Sequence, residues 1–315
     1  MFNRRALPVL GLVVALAACA PAATPTTQVI TKQVTVVVKE TQVVEVPAPV
    51  GETIKIAVPI EQTGPRAYPG QAVCRASKLA GEHLNAAGGI LGRPVVIDCI
   101  DDQSDPKQAV IVAHSICDNP EYVAVWGHGT SGTTIPAEPI YDGCRIALVA
   151  QGSNPNVTKQ GFDNVFQAVP NDLAQGRAAA EYLQERGAKT VSVTHNKSIF
   201  GEVLAGVFKG RAEELGLQIL SFQGINPEDV DFTPTLTKIK QENPDAYYHA
   251  GYVVESAPLR KQMVTLGMDQ IFVASESTTT EFVATTGDAG IGTVSSTAAV
   301  GYDASPALKE FAAAY

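Results

Sequence analysis

Tyr122-Val-Ala-Val-Trp126, Gly127-His-Gly-Thr-Ser-Gly132, the segment Ser131 to Tyr141 and Ile146-Ala-Leu-Val-Ala150 follow one another within residues 122–150, and their order decides the fold. The first and last are short apolar runs with the composition of buried strands; between them lie a glycine-rich loop and a stretch that reads as a helix. Strands joined through a helical crossover run parallel. Parallel sheets are covered on both faces, which explains why these runs are apolar throughout instead of alternating. The class is α/β.

The same alternation extends in both directions. Upstream, Ile54-Lys-Ile-Ala-Val58 is a strand that stops at Pro59, and Gly70 to Ala87 has helical apolar spacing up to Gly88-Gly89. Pro94 to Ile100 is a strand, and Asp105-Pro106 offers an N-cap and a first-turn proline for a helix ending at Cys117. Downstream, helices are expected at Asp172 to Arg186, Phe200 to Leu215, Phe232 to Glu242 and Ala257 to Leu266. Strands are expected at Thr190 to Thr194, Leu217 to Phe222, Ala246 to His249 and Ile271 to Ala274. Two Rossmann-like lobes result, residues 53–169 and 170–292, with a cleft between them. Open parallel sheets bind ligands beyond the carboxyl ends of their strands, which singles out the loops after Val58, Trp126, Ala150, Thr194, His249 and Ala274.

The ends read differently. Arg4 and Arg5 precede an apolar run, Leu7 to Ala18, which is short of the roughly 20 residues of a membrane span. It ends in Leu16-Ala17-Ala18-Cys19, so residues 1–19 read as an export signal. That ending resembles a bacterial lipobox, which implies lipid on Cys19; an ordinary cleaved signal is the alternative. Residues 20–52 are rich in Thr, Val, Gln and Pro, with a loose repeat over 31–46, and read as an extended tether. Local strand pairing is the other reading, on β-propensity. Residues 293–315 read as a crossover back to the first lobe and the start of a helix.

Composition excludes some partners. The chain is 45% hydrophobic and 17% charged, as soluble globular proteins are. Its net charge of −9 comes without a basic stripe, which argues against nucleic acid. Apart from Cys19 there are Cys74, Cys99, Cys117 and Cys144, without the Cys-x-x-Cys spacing of a zinc or redox site. An oxidising compartment permits disulfides among them. Of three possible pairings, Cys74–Cys99 with Cys117–Cys144 is favoured for its local loops; buried free thiols are the alternative. The five histidines are scattered, and no metal or cofactor is expected.

Gly127 to Gly132 is formally G-x-G-x-x-G, but it follows the third strand, and the next strand ends in Ala150-Gln151 with no acid for a ribose. It reads better as an anion cradle at a helix N-terminus, with Ser131 adding a hydroxyl; Ser131 as a simple helix cap is the plainer reading. His128 is a minor candidate for ligand contact, and Asp101 and Asp102 read as solvated charge or loop caps.

Ile54-Lys-Ile-Ala-Val58, Thr63-Gly-Pro65, Asn85-Ala-Ala-Gly-Gly-Ile90, Asp101-Asp-Gln-Ser-Asp-Pro-Lys-Gln-Ala109, Gly127-His128, Ser153-Asn-Pro155, Phe200-Gly-Glu202, Asp231-Phe232 and Ala250-Gly-Tyr252 together resemble the leucine/isoleucine/valine-binding protein family across residues 54–311. The resemblance implies a type I periplasmic-binding-protein fold that closes on its ligand, working as the monomeric, extracytoplasmic receptor of an ABC permease. It implies an amino-acid ligand, branched-chain first, and no catalysis. It places Ser131 on the ligand carboxylate, Gln151, Gly152 and Ser153 on the amino acid's backbone groups, Tyr68 against the ligand after one gap, and Tyr252 and Glu276 as an aromatic wall and ammonium carboxylate. Phe200 stands where many members have tyrosine, which favours an apolar side chain. The family continues well past residue 315, so a chain truncated at its C-terminus is expected. Competing readings are a ligand sensor, an amide or urea binder, and a nicotinamide-dependent enzyme supported by the Gly127 loop alone.

Overall fold

The computed structural model describes residues 52–277, 279–299, 301 and 303–315; the expectations for the export signal, Cys19 and the tether up to residue 51 lie outside them. Strands β1 (Ile54–Pro59), β2 (Val95–Ile100), β3 (Tyr122–Trp126), β4 (Ala147–Ala150) and β5 (Val165–Gln167) form one parallel sheet in the order β2-β1-β3-β4-β5. A second parallel sheet holds β6 (Thr190–His195), β7 (Gln218–Gly224), β8 (Ala246–Ala250), β9 (Ile271–Ser275) and β10 (Val294–Ser296) in the order β10-β9-β8-β6-β7. Read from the opposite edge, the second order repeats the first. In each sheet the order reverses beside the lobe's first strand, between β1 and β3 and between β6 and β8, and the crevice that a ligand uses opens there.

Helices α1 (Ala67–Ala86), α2 (Pro106–Cys117) and α3 (Ser131–Gly143) cover the first sheet. Helices α4 (Asp172–Glu185), α5 (Ile199–Glu214), α6 (Thr233–Glu242), α7 (Val253–Thr265) and the short α8 (Thr280–Thr286) belong to the second lobe. Local chemistry sets their ends. Asp105 Oδ1 accepts from the amides of Lys107 and Gln108 at 2.8 and 2.9 Å, with Pro106 in the first turn, so α2 starts where the cap is. Each lobe has its own core: Ile116, Tyr141 and Leu148 in the first, Leu183, Leu204 and Phe208 in the second. Phe208 stacks on Tyr248 with centroids 4.0 Å apart, pinning α5 to the middle of its sheet.

Several elements differ from expectation. Residues 294–296 are not part of a crossover but the edge strand β10, paired with β9. Val-Ser-Ser is too short and polar to carry a strand signal; pairing, not hydrophobicity, fixes it. The same holds for the three-residue β5. Helix α7 begins at Val253, upstream of Ala257, because the Glu255 carboxylate accepts from the Tyr252 amide at 2.8 Å and starts the helix ahead of Pro258. After β10 the chain does return: α9 (Pro306–Ala314) lies on α1, with the Tyr315 hydroxyl donating to the Ala72 carbonyl at 3.1 Å and Phe311 edge-on to His83.

Cys74 on α1 is joined to Cys99 on β2, and Cys117 at the end of α2 to Cys144 just after α3. Each link fastens a helix to its neighbour in the first lobe. Cys74 and Cys99 are separated by 25 residues, and a loop of that size restricts the unfolded chain by about 3 kcal/mol. Replacing both by serine should lower unfolding stability by about that amount in a guanidinium titration; a change of less than about 0.5 kcal/mol would show that the link does not constrain the unfolded state.

Candidate functional site

A cavity of about 350 Å³ lies between the lobes, at the carboxyl ends of both sheets. All six loops singled out from the strand pattern contribute to it. From the first lobe come Pro65 and Arg66 after β1, Gly129 to Ser131 after β3, and Gln151 to Ser153 after β4. From the second come Phe200 after β6, Tyr252 after β8 and Glu276 after β9. Seven of the eight sequence-named residues therefore share one cavity, and Tyr68 does not. Its neighbour on α1, Pro69, lines the cavity instead. Tyr68 is 48% exposed, and its hydroxyl meets that of Thr280 across the cleft at 2.5 Å.

Ser131 opens α3 but does not cap it. Thr130 is the cap, its hydroxyl accepting from the Thr133 amide at 3.2 Å. That division of labour leaves Ser131 free. Its oxygen accepts from the Asn154 amide at 3.1 Å, so its own proton is available to donate. The amides of the first helical turn have no intrahelical acceptor, and the helix dipole favours negative charge beside them. Gly152 makes the juxtaposition of the two loops feasible, because a Cβ there would stand 3.0 Å from Ser131 Cα and 3.2 Å from its amide nitrogen. The Gln151 carboxamide nitrogen is buried with no hydrogen-bond partner among the described residues. This end of the cavity is a set of donors.

Glu276 supplies the opposite polarity. Its backbone is left-handed, φ 49°, an uncommon conformation for glutamate that persists when surroundings enforce it. Enforcement comes from β10: the Glu276 amide donates to the Ser296 carbonyl at 2.8 Å. Its Oε1 accepts from Gln175 Nε2 at 2.9 Å and from the Ala298 amide at 3.3 Å. Burial raises its pKa, while the Ala298 amide, Gln175 and Thr297 pull it back toward the charged form. A cation within the cavity would complete that stabilisation.

Behind Glu276 sits Asp172, the first residue of α4, fully buried. Burial pushes its carboxyl up to about 6 and the Glu276 charge adds to this; the Ser153 hydroxyl pulls the other way without closing a hydrogen bond of normal geometry. Sequence reasoning passed over it, because Asn171-Asp172 reads as an ordinary helix start. Arg66 was missed as well, although it directly follows the Thr63-Gly-Pro65 turn. Its guanidinium is 3.7 Å from the Tyr252 ring centroid and 3.1 Å from the Glu61 carboxylate. Burial works against its charge, but Tyr252, Glu61 and Glu255 around it raise its pKa above the ordinary guanidinium value.

His128 and Asp102 have other work. His128 Nδ1 and an Asp102 oxygen lie 2.7 Å apart, and Nε2 is 3.0 Å from the Tyr141 hydroxyl, all three buried. They lock the Gly127 loop to the core, so His128 is turned away from the cavity and Asp102 is not solvated. Both aspartates cap the loop: Asp101 accepts from the Gln62 and Gln103 amides and the Thr63 hydroxyl, and Asp102 from the Ser104 amide at 3.0 Å. Among the described residues no cluster of three His, Cys, Asp or Glu side chains could hold a metal ion.

A raised Asp172 pKa has a signed consequence. The group favours its protonated form in the folded protein, so the ligand-free protein loses stability as pH rises from about 4 to about 6 and the penalty is complete above that. Asp172→Asn should therefore raise stability at pH 7, by up to about 3 kcal/mol, with no gain at pH 3.5. Thermal unfolding at both pH values checks it; an equal gain at both would assign the effect to packing.

The family described as periplasmic binding protein matches residues 53–315. An amino acid binding protein of Pseudomonas aeruginosa is 34% identical over 235 residues, 74% of this chain and 63% of the relative. The chain thus spans less than two thirds of that relative's length. The leucine-specific-binding protein of Salmonella typhimurium is 31% identical over 269 residues, 82% of this chain and 70% of the relative. Among solved structures, the branched-chain amino acid transporter substrate binding protein of Streptococcus pneumoniae, in complex with isoleucine, superposes with a TM-score of 0.70 at 28% identity, covering 75% of this chain and 68% of that one.

Proposed function

Because the chain belongs to the periplasmic binding protein family, we propose that it is an extracytoplasmic receptor that captures a free α-amino acid between its lobes and delivers it to an ABC permease. The observation that carries this reading is the polarity of the cavity, with the Ser131 donor set contributed by one lobe and the Glu276 carboxylate by the other. A zwitterion satisfies both at once: its carboxylate takes the Ser131 hydroxyl and helix amides, its ammonium the Glu276 carboxylate. Each lobe alone binds only half of the ligand, so full affinity needs closure. Charge-assisted hydrogen bonds in a closed, water-poor cleft are strong. Apolar walls from Pro69, Val73, Val169, Phe200 and Val254 suit the aliphatic body of a side chain, and the relatives' names make leucine, isoleucine and valine the reference ligands. The cavity contributes binding groups only, and no catalytic step is assigned to it.

A thermal-shift screen of the common amino acids tests the reading: a ligand at 100 times its dissociation constant adds about 2.7 kcal/mol of stability. No stabilisation by any of them would overturn it. With the best ligand, Ser131→Ala should lose about 1–3 kcal/mol of binding. Glu276→Gln should lose at least about tenfold in affinity, chiefly through faster dissociation, and spare the des-amino analogue. Equal losses for both compounds would make Glu276 a structural residue.

The receptor is held at the membrane through lipid on Cys19, with residues 20–52 as its tether. The support is Leu16-Ala17-Ala18-Cys19 behind Arg4 and Arg5. Cys19→Ser should move the protein to the soluble fraction or block its maturation. Normal processing with unchanged membrane retention would rule the anchor out.

A further inference from the structure

Arg66 is the one cation lining the cavity among the described residues, and its surroundings fix what it can do. Its Nε lies 3.2 Å and its Nη2 3.1 Å from the same oxygen of Glu61, a residue only 1% exposed. Its central carbon lies 3.7 Å from the centroid of the Tyr252 ring, which in turn stacks on Phe200 with centroids 5.1 Å apart and planes 15° apart. The guanidinium is thereby clamped at the edge of the apolar wall. Five N–H donors sit on an arginine fork; among the described residues no hydrogen bond runs from Nη1. A donor cut off from water without a replacement acceptor costs free energy. A purely aliphatic side chain would desolvate Nη1 and offer nothing in return.

We propose that Arg66 reads the end of the ligand's side chain, and that the ligand is an amino acid with an aliphatic side chain ending in an uncharged carbonyl, as in glutamine. This rests on the reading of the cavity as an α-amino-acid site. The uncharged end follows from the charges present. Glu61 already supplies one negative charge to Arg66, so the pair is neutral as a unit. Glu276 and Glu281 also line the cavity. A side-chain carboxylate would bring a further negative charge into that field with no unpaired cation to meet it, whereas a carbonyl oxygen accepts from Nη1 without changing the balance.

Calorimetry on the full chain with L-glutamine, L-glutamate and L-leucine tests this. The unaltered protein should bind glutamine at least about tenfold more tightly than either competitor. Arg66→Met keeps the length and apolar packing; it should weaken glutamine at least about tenfold more than it weakens leucine. Glu61→Gln frees the Arg66 charge and should shift the preference from glutamine toward glutamate by at least about tenfold, a readout that survives even if Arg66→Met fails to fold. Leucine binding more tightly than glutamine, equal losses for both in Arg66→Met, or an unchanged glutamine-to-glutamate ratio in Glu61→Gln would each overturn the assignment to Arg66 while leaving the amino-acid site standing. Binding of no amino acid at all would overturn both.

Discussion

A parallel sheet delivers the carboxyl end of every strand to the same edge, and the rest of this molecule depends on that. β1, β3 and β4 release their loops on one side of the cleft; β6, β8 and β9 release theirs on the other. No single loop is a binding site. Ser131 has its donors because a helix must restart there, and Glu276 faces the cavity because β9 ends there and β10 grips its backbone. Two edges turned toward each other make a chamber whose two halves differ in electrical sign.

That chamber is held in tension by buried carboxylates. Burial raises the pKa of Glu276, Asp172, Glu61 and Glu255. Each would be relieved by positive charge nearby; Arg66 pairs directly with Glu61, and its charge also reaches Glu255 and, as a minor contribution, Glu276. Asp172 and Glu276 face one another's field, and among the described residues no cation pairs with either. A cationic group bound beside Asp172 and Glu276 would favour their charged forms.

Much of this was legible in the sequence because it followed from strong local patterns. The strand runs, the Asp105-Pro106 cap and the glycine stops fixed the alternation, and the alternation alone pointed to the six loops that line the cavity. What stayed hidden was set by tertiary pairing. Val294-Ser-Ser296 becomes a strand only because β9 lies beside it. Asp102 and His128 look like polar loop residues until the core closes over them. Tyr68 and Pro69 differ by one position, and periodicity cannot say which of the two turns inward. Arg66 needed a neighbour from the other lobe, Tyr252, before its role in the wall was visible.

The central claim is that one zwitterion bridges the two lobes, its carboxylate at the α3 N-terminus and its ammonium at Glu276. A crystal structure of the protein with its tightest amino acid would test it most directly. The account requires a ligand carboxylate oxygen within hydrogen-bond distance of Ser131 Oγ and the ligand nitrogen within the same reach of the Glu276 carboxylate, about 2.7–3.2 Å in each case. A ligand bound in the reverse orientation, or seated on one lobe without touching the other, would contradict it.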